Sequence, residues 1–181
     1  MTYWQVQLEA VFASLTNVAA FIQLPWSWPV GESAHFIGLT LLLGGIAAWD
    51  LRLLGLMRDV PVVAFHRLVP FAVLGFAINA TSGSLFLITF PDQYIYNSAF
   101  HLKVLCLLLA GLNVLFFYLV VFQRLAGLAP GEPLPMLARL SGGVSLLLWI
   151  TVIVCGRMIT FFRPSVCRPE TLGFISDCIV R

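Results

Sequence analysis

Residues 32–55 read ESAHFIGLTLLLGGIAAWDLRLLG, and this stretch decides the fold. One histidine, His35, stands near the start of an apolar run, which ends at the charged residues Asp50 and Arg52. About 20 apolar residues suffice to cross a bilayer, so the stretch is predicted to be a transmembrane helix. His35 is a candidate functional residue, because an ionisable side chain inside such a helix is costly to bury. Asp50 and Arg52 are expected to form a local ion pair at the membrane surface.

The composition of the whole chain is typical of an integral membrane protein. Of the 181 residues, 60% are hydrophobic and only 10% are charged, and the mean hydropathy is +0.98. Soluble domains are about one-quarter charged. The length allows a few helices and no separate soluble domain, so residues 1–181 are predicted to be one membrane domain. The net charge of +2 is too small and too scattered to indicate nucleic-acid binding.

Hydropathy predicts four transmembrane helices, and their short connections make sequence neighbours antiparallel. The predicted ranges are 31–50, 62–90, 98–122 and 140–162. The expected fold class is therefore an all-α integral membrane protein, an up-down bundle of four transmembrane helices. Pro70 lies inside the second range, which is longer than a bilayer requires, and predicts a tilt or kink. Polar side chains such as Asn79 and Asn113 are expected to form hydrogen bonds between helices.

The two ends of the chain are predicted to lie outside the bilayer core. Residues 3–23 place apolar side chains at spacings of three and four, which predicts an N-terminal amphipathic helix lying in the interface. We call the side where the first transmembrane helix begins side A, and the other side B. The tail 163–181 falls on side A, and the spacing of Cys167 and Cys178 permits a disulfide, which persists in oxidising compartments. Both termini are therefore expected to be periplasmic; two free thiols in a cytoplasmic tail are the alternative.

The alternating helix directions bring His35 and His101 to a similar depth on side A. Two histidines from different helices commonly hold haem b through their imidazole nitrogens, so this pair is predicted to provide the axial ligands of the haem iron. Three cations on side A are candidate partners of the haem propionates: Lys103, Arg157 and Arg163. In the alternative interpretation the histidines form interhelical hydrogen bonds, handle protons or are solvated.

Glycines accompany the two histidines along their helices. Gly38 and Gly45 share a face of the first helix with His35, and Gly111 shares a face of the third with His101. Glycine at these positions leaves room for a flat macrocycle, although it also lets helices pack closely. The third histidine, His66, falls near side B and is predicted to be solvated or bonded within its loop.

Four segments of the chain resemble a known family. They read WSWPVGESAHFIGLTLLLGG (26–45), DLRLLGL (50–56), FHLKVLCLLLAGLNVLFFY (100–118) and GRMITFF (156–162). They resemble a family of small bacterial four-helix membrane proteins of unknown function, and this resemblance implies the fold and a bacterial inner-membrane location but no activity. A looser similarity extends to small membrane cytochromes b and to copper-resistance membrane proteins, which also have histidines near helix ends.

These observations predict electron transfer as the leading function. The expected protein is a b-type cytochrome-like subunit that binds one haem near the periplasmic side and is not an enzyme by itself. Its partners would be a periplasmic redox protein, a quinone or a larger membrane complex. Two alternatives remain open: a cofactor-free accessory subunit of a larger membrane complex, and a small-solute permease, which requires a wet central cavity.

Overall fold

Four long helices dominate the structure, a computed structural model that describes residues 24–125, 132–161, 165–166 and 178–179 together with Gln7 and Val11. The long helices are α1 (Ser27–Leu54), α2 (Val69–Thr89), α3 (Ser98–Phe116) and α4 (Met136–Phe161). With the short helical segments that adjoin α2 and α3, all four are long and apolar enough to span a membrane. The predicted fold class, a helical membrane protein with four membrane-length helices, is confirmed.

Short helical segments complete the second and third spans. A 3-10 helix, Val62–Leu68, leads into α2, and the change to α-helix falls next to Pro70, which stands in the first turn of α2. A π-helical segment, Phe117–Val121, and the short helix Phe122–Leu125 continue α3. Between α2 and α3 lies the one-turn helix Pro91–Ile95.

Several sequence predictions fall wholly or partly outside the described residues. Of the predicted interfacial helix 3–23, only Gln7 and Val11 are described, and both are helical. In the tail, strand β1 (Ser165–Val166) pairs in parallel with strand β2 (Cys178–Ile179). Arg163 and Cys167 lie outside the described residues. The propionate role of Arg163 and the disulfide between Cys167 and Cys178 stay predictions.

The helices do not pack in chain order around a closed ring. Helix α1 packs against both α2 and α4, and α3 packs against α4, whereas α2 and α3 touch little. The bundle therefore has an open side between α2 and α3.

Glycine sets the closest helix contact, between α1 and α2. A Cβ atom on Gly75 would lie only 2.5 Å from the carbonyl oxygen of Gly38 and 2.5 Å from the backbone nitrogen of Leu42. A Cβ atom on Gly38 would lie 2.6 Å from the Asn79 amide nitrogen. Since no side chain fits there, the two glycines let the backbones approach. Helix α2 occupies the space beside Gly38 that the sequence also allowed for a macrocycle.

Large apolar side chains cover the outer faces of the bundle. Leu108, Leu119 and Leu147 are 63%, 70% and 66% exposed. Such a surface suits a bilayer, where lipid tails rather than water surround it. The exposed apolar side chains and the four membrane-length helices together indicate a membrane protein whose outer faces contact lipid.

The DLRLLG segment ends α1 with a compact backbone turn. Gly55 has a φ of 104°, a left-handed conformation that glycine adopts without strain. Its N–H donates to the carbonyl oxygen of Arg52, and the N–H of Leu56 donates to that of Leu51. These two bonds form a Schellman motif, which satisfies carbonyl groups at the helix end.

Candidate functional site: a cavity among the four helices

A cavity of about 350 Å³ lies among the four long helices, and residues of each of them line it. Most of the lining side chains are apolar, and five are aromatic: Trp49, Phe76, Phe117, Tyr118 and Trp149. The volume falls within the range of small-molecule sites, roughly 300–1,000 Å³.

The cavity wall includes exposed residues on the side where α2 and α3 touch little. Val73 and Phe76 of α2 and Val114 of α3 line the cavity, yet they are 62%, 49% and 44% exposed. Gly111 also lines it, and a Cβ atom there would meet nothing within 4 Å. The cavity therefore borders the open side of the bundle between α2 and α3.

Asp50 is an acidic residue in the wall of this mostly apolar cavity. The residue is 5% exposed, and Ser145 of α4 hydrogen-bonds to its carboxyl group. Its Oδ2 atom nevertheless has no hydrogen-bond partner. A buried polar atom without a partner costs about 1–3 kcal/mol, so such an atom calls for an explanation.

The ion pair predicted between Asp50 and Arg52 does not form. The Arg52 guanidinium donates from Nε to the carbonyl oxygen of Val60 at 2.7 Å and from a terminal nitrogen to that of Arg58 at 3.2 Å. Arg52 therefore holds the loop after α1, while the Asp50 carboxyl group meets α4. The prediction was wrong because residues two apart on a helix lie on different faces.

Trp149, which also lines the cavity, has a second unpartnered polar atom. The residue is 7% exposed, and its indole Nε1 has no hydrogen-bond partner. Ser141, Ser145 and Trp149 follow one another at intervals of four, so they share one face of α4, and all three line the cavity. We call Asp50, Ser145 and Trp149 together the polar patch.

A neighbouring polar pair in the cavity wall is, by contrast, fully bonded. Asn113 of α3 donates from Nδ2 to the carbonyl oxygen of Ser141 at 3.1 Å, and the Ser141 hydroxyl donates to Asn113 Oδ1 at 3.1 Å. On the other side of the bundle, Asn79 donates to the carbonyl oxygen of His35 at 3.1 Å. The interhelical hydrogen bonds predicted for these asparagines are confirmed.

A change of helix type lies beside the cavity. Phe117 and Tyr118 line the cavity and begin the π-helical segment Phe117–Val121. π-helical segments are rare and often occur at functional sites. The ring centroids of Phe117 and Trp49 lie 5.7 Å apart with nearly perpendicular planes, so the rings form an edge-to-face contact in the cavity wall.

His35 lies nearer side A and faces α2. Its Nδ1 atom is 2.8 Å from the Ser82 hydroxyl oxygen, and the ring centroid of Phe86 is 5.7 Å away. Lys103 of α3 interacts electrostatically with His35. Lys103 is another of the predicted haem-site residues.

His101 and Arg157, the other predicted haem-site residues that the structure describes, have different surroundings. His101 is exposed, and its Nε2 atom lies 2.9 Å from the carbonyl oxygen of Ile95. Arg157 is exposed, with its guanidinium 5.0 Å from the centre of the Phe161 ring. Neither His35 nor His101 lines the cavity. Haem ligation by this pair stays a prediction.

His66 contacts an aromatic cluster near side B. Its side chain is exposed, and the nearest ring centroids, those of Phe122, Trp49 and Tyr118, are 5.5, 5.9 and 6.0 Å away. In the parts of the chain that the structure describes, no three His, Cys, Asp or Glu residues group as a metal site would require.

The polar patch was not predicted as a site. Asp50 was assigned to an ion pair, and Ser145 and Trp149 gave no chemical motif. Two signals were nevertheless present in the sequence: an acidic residue inside an apolar run, and the intervals of four between Ser141, Ser145 and Trp149.

Comparison with known proteins gives one family and no individual relative. No curated protein and no solved structure matches the chain. The model of DUF6644, described as a family of unknown function, matches residues 27–162, which include all four long helices. The predicted resemblance to a family of unknown function is thereby confirmed, and the chain belongs to the DUF6644 family.

Proposed function

We propose that the protein binds a small lipophilic molecule in the cavity among its four helices, and that this molecule enters from the bilayer between α2 and α3. The observation that carries the proposal is the cavity itself, whose walls are mostly apolar and which lies beside the open side between α2 and α3. Membrane-bundle cores are a common place for ligand sites.

The exposed cavity residues support entry from lipid rather than from water. Val73, Phe76 and Val114 are apolar and lie on helices whose outer faces are in the bilayer. A permease for small polar solutes needs a wet pathway, whereas the described wall is mostly apolar. A lipophilic ligand therefore fits the cavity better than an ion does.

The proposal also places the protein in a bacterial inner membrane with side A periplasmic. It is supported by the resemblance to bacterial four-helix proteins and by the two cysteines of the tail. On this orientation the cavity lies toward the cytoplasmic half, because Asp50 is four residues before the side B end of α1.

Saturable quenching of tryptophan fluorescence by 1-bromo-4-pentylbenzene tests the proposal. Trp49 and Trp149 line the cavity, so a bound heavy-atom quencher touches them, whereas partition into micelles gives only unsaturable quenching. The experiment uses the purified full chain in detergent. Gly111→Leu fills a position at the cavity wall, and Gly44→Leu is the matched control, since a Cβ atom at either glycine meets nothing within 4 Å and Gly44 does not line the cavity.

We expect saturation in the wild-type protein and in Gly44→Leu, and at least tenfold weaker binding in Gly111→Leu. Unsaturable quenching in all three proteins would contradict the proposal. Equal saturation in all three would show that the probe binds elsewhere, which contradicts it as well.

A second candidate function is the haem-based electron transfer predicted from the sequence. One observation favours it: the hydrogen bond of His35 Nδ1 to Ser82 leaves Nε2 for a metal, and ligating histidines usually bond through their other nitrogen in this way. The nearby Lys103 would suit a propionate.

A reduced-minus-oxidised absorption spectrum tests this second candidate. The protein is purified from haem-replete cells together with the His35→Ala and His101→Ala variants. Bands of haem b in the wild type that both variants lose support axial ligation by the pair. A folded, colourless wild-type protein contradicts it, and bands that survive in His101→Ala contradict the role of His101.

A further inference from the structure

We infer that the ligand is an anionic phospholipid, one acyl chain of which occupies the cavity while its phosphate group lies at the side B end of the open side between α2 and α3. This inference rests on the proposed function and names the chemical class of its ligand. It is drawn from the bonding of polar groups in the cavity wall and from the exposed arginines at side B.

Polar groups of α1, α3 and α4 in the cavity wall are bonded to one another or enclosed. Asn113 and Ser141 bond to each other. Ser145 bonds to the Asp50 carboxyl group. The two unpartnered atoms, Asp50 Oδ2 and Trp149 Nε1, are buried with almost no accessible surface. A hydrocarbon chain, which forms no hydrogen bonds, therefore suits the interior of the cavity, and a polar head group must lie outside it.

The cavity begins close to the side B ends of the second and third spans. Leu68 and Val69 line it, and they directly follow Arg67 in the chain. In the third span the lining extends to Tyr118, six residues before Arg124. Six residues of helix rise by about 9 Å. An acyl chain that enters the cavity from side B therefore leaves its head group near the level of these two arginines.

An aromatic contact brings the two segments that carry these arginines together. The ring centroid of His66 lies 5.5 Å from that of Phe122 and 6.0 Å from that of Tyr118. Arg67 adjoins His66, and Arg124 follows Phe122 by two residues, so both arginines begin within one helical turn of the contact. The contact therefore joins the second and third spans at side B, whereas α2 and α3 themselves touch little.

Exposed arginines outnumber exposed acidic residues at side B. Among the described residues, one arginine lies at or just beyond the side B end of each span, and two acidic residues lie in the connections: Arg58, Arg67, Arg124 and Arg139, against Asp59 and Glu132. Within the described part of the chain, the side chains of Arg67 and Arg124 form no ion pair or hydrogen bond. A guanidinium group binds phosphate through two parallel hydrogen bonds. A phosphate head group therefore supplies the counter-charge that these two arginines lack.

The head group rather than the acyl chain must decide which lipid binds. A chain gains little by moving from lipid tails to an apolar cavity, since both are equally free of water. Each arginine near the membrane surface strengthens the binding of an anionic lipid by about fivefold. A zwitterionic lipid gains less, because the arginines repel its ammonium group as they attract its phosphate.

Competition with 1-bromo-4-pentylbenzene tests the inference, because quenching of Trp49 and Trp149 reports whether the probe occupies the cavity. The competitors dioleoylphosphatidylglycerol and dioleoylphosphatidylcholine have the same chains and differ in head-group charge, and inorganic phosphate is an anion without a chain. The purified full chain in detergent is compared with Arg67→Gln, Arg124→Gln and the double variant. Arg139→Gln is the matched control, because Arg139 is likewise exposed at side B but lies in α4, away from the open side.

We expect phosphatidylglycerol to displace the probe at least tenfold more effectively than phosphatidylcholine in the wild type and in Arg139→Gln. Arg67→Gln and Arg124→Gln should each reduce this preference about fivefold, and the double variant should abolish it. Inorganic phosphate alone should not displace the probe.

Equal displacement by the two lipids in the wild type would overturn the inference while leaving cavity binding intact. A preference that survives in the double variant, or that falls as far in Arg139→Gln, would overturn the placement of the phosphate at the open side. Displacement by inorganic phosphate alone would overturn the insertion of an acyl chain. If the brominated probe itself shows no saturable binding to the wild type, the proposed function is contradicted instead.

Discussion

Single residues differ sharply in how well their polar atoms are bonded inside this bundle. Asn113 and Ser141 exchange two hydrogen bonds, and buried Asn97 donates from its amide to the carbonyl oxygen of Ile159. Asp50 and Trp149, equally buried, each leave one atom without a partner. Because most buried polar groups in proteins are hydrogen-bonded, these two exceptions are not expected to add stability.

Replacing Asp50 should therefore not destabilise the ligand-free protein. In Asp50→Leu the removal of the unpartnered oxygen offsets the loss of the hydrogen bond with Ser145, so we expect a free energy of unfolding equal to the wild type or up to about 1 kcal/mol higher. Asn113→Leu removes bonded groups from the same wall, and we expect it to destabilise by about 1 kcal/mol. Thermal unfolding of the purified proteins in one detergent measures both.

The comparison of these two variants is decisive for the role of Asp50. A loss of stability in Asp50→Leu that equals or exceeds the loss in Asn113→Leu would mean that the carboxyl group supports the fold.

At the residue scale the sequence identified which side chains were unusual but not which way they point. Asp50 was visible as an acid in an apolar run, yet its contact with Ser145 depends on how α1 packs against α4. The same limit applies to His35, whose ring lies against Ser82 of α2. Side-chain direction follows from helix packing, which hydropathy does not report.

At the scale of the helices, close backbone contact holds α1 against α2. Gly38 and Gly75 meet where neither can carry a side chain. Lipid offers no hydrophobic drive for helix association, so such close packing contributes much of the stability of a membrane bundle. Hydropathy predicted the four spans, because apolar length alone marks them. It did not predict the π-helical segment Phe117–Val121, since no apolar pattern distinguishes it.

Gly75→Ala should destabilise the contact between α1 and α2. Its Cβ atom would fall 2.5 Å from two backbone atoms, which cannot rotate away, so the helices must separate at a cost of about 1–3 kcal/mol. Gly83→Ala in the same helix is the matched control, since its Cβ atom would meet only His35 Cε1, at 3.7 Å. Thermal unfolding in detergent should show a lower midpoint for Gly75→Ala alone, and equal midpoints for the two variants would contradict the contact.

At the scale of the whole molecule, packing order and chain order together produce the cavity. Helices α2 and α3 follow one another in the chain, yet they touch little. The bundle is held together instead by the contact between α1 and α4 and by the packing of α2 on α1 and of α3 on α4. The gap that remains between α2 and α3 is the proposed ligand entry. An even number of spans also places the start of α1 and the end of α4 on the same side of the membrane.

This topology predicts which loops a membrane-impermeant maleimide can reach. Asp59→Cys lies in the connection before α2 and Gln93→Cys in the connection after it, so one span separates them. Both variants are made with Cys167→Ser and Cys178→Ser, and the buried Cys106 and Cys155 should not react. In intact spheroplasts we expect labelling of Gln93→Cys alone, and in detergent labelling of both. Equal labelling of both in spheroplasts would contradict a span between them, whereas labelling of Asp59→Cys alone would preserve the four spans and place side A in the cytoplasm.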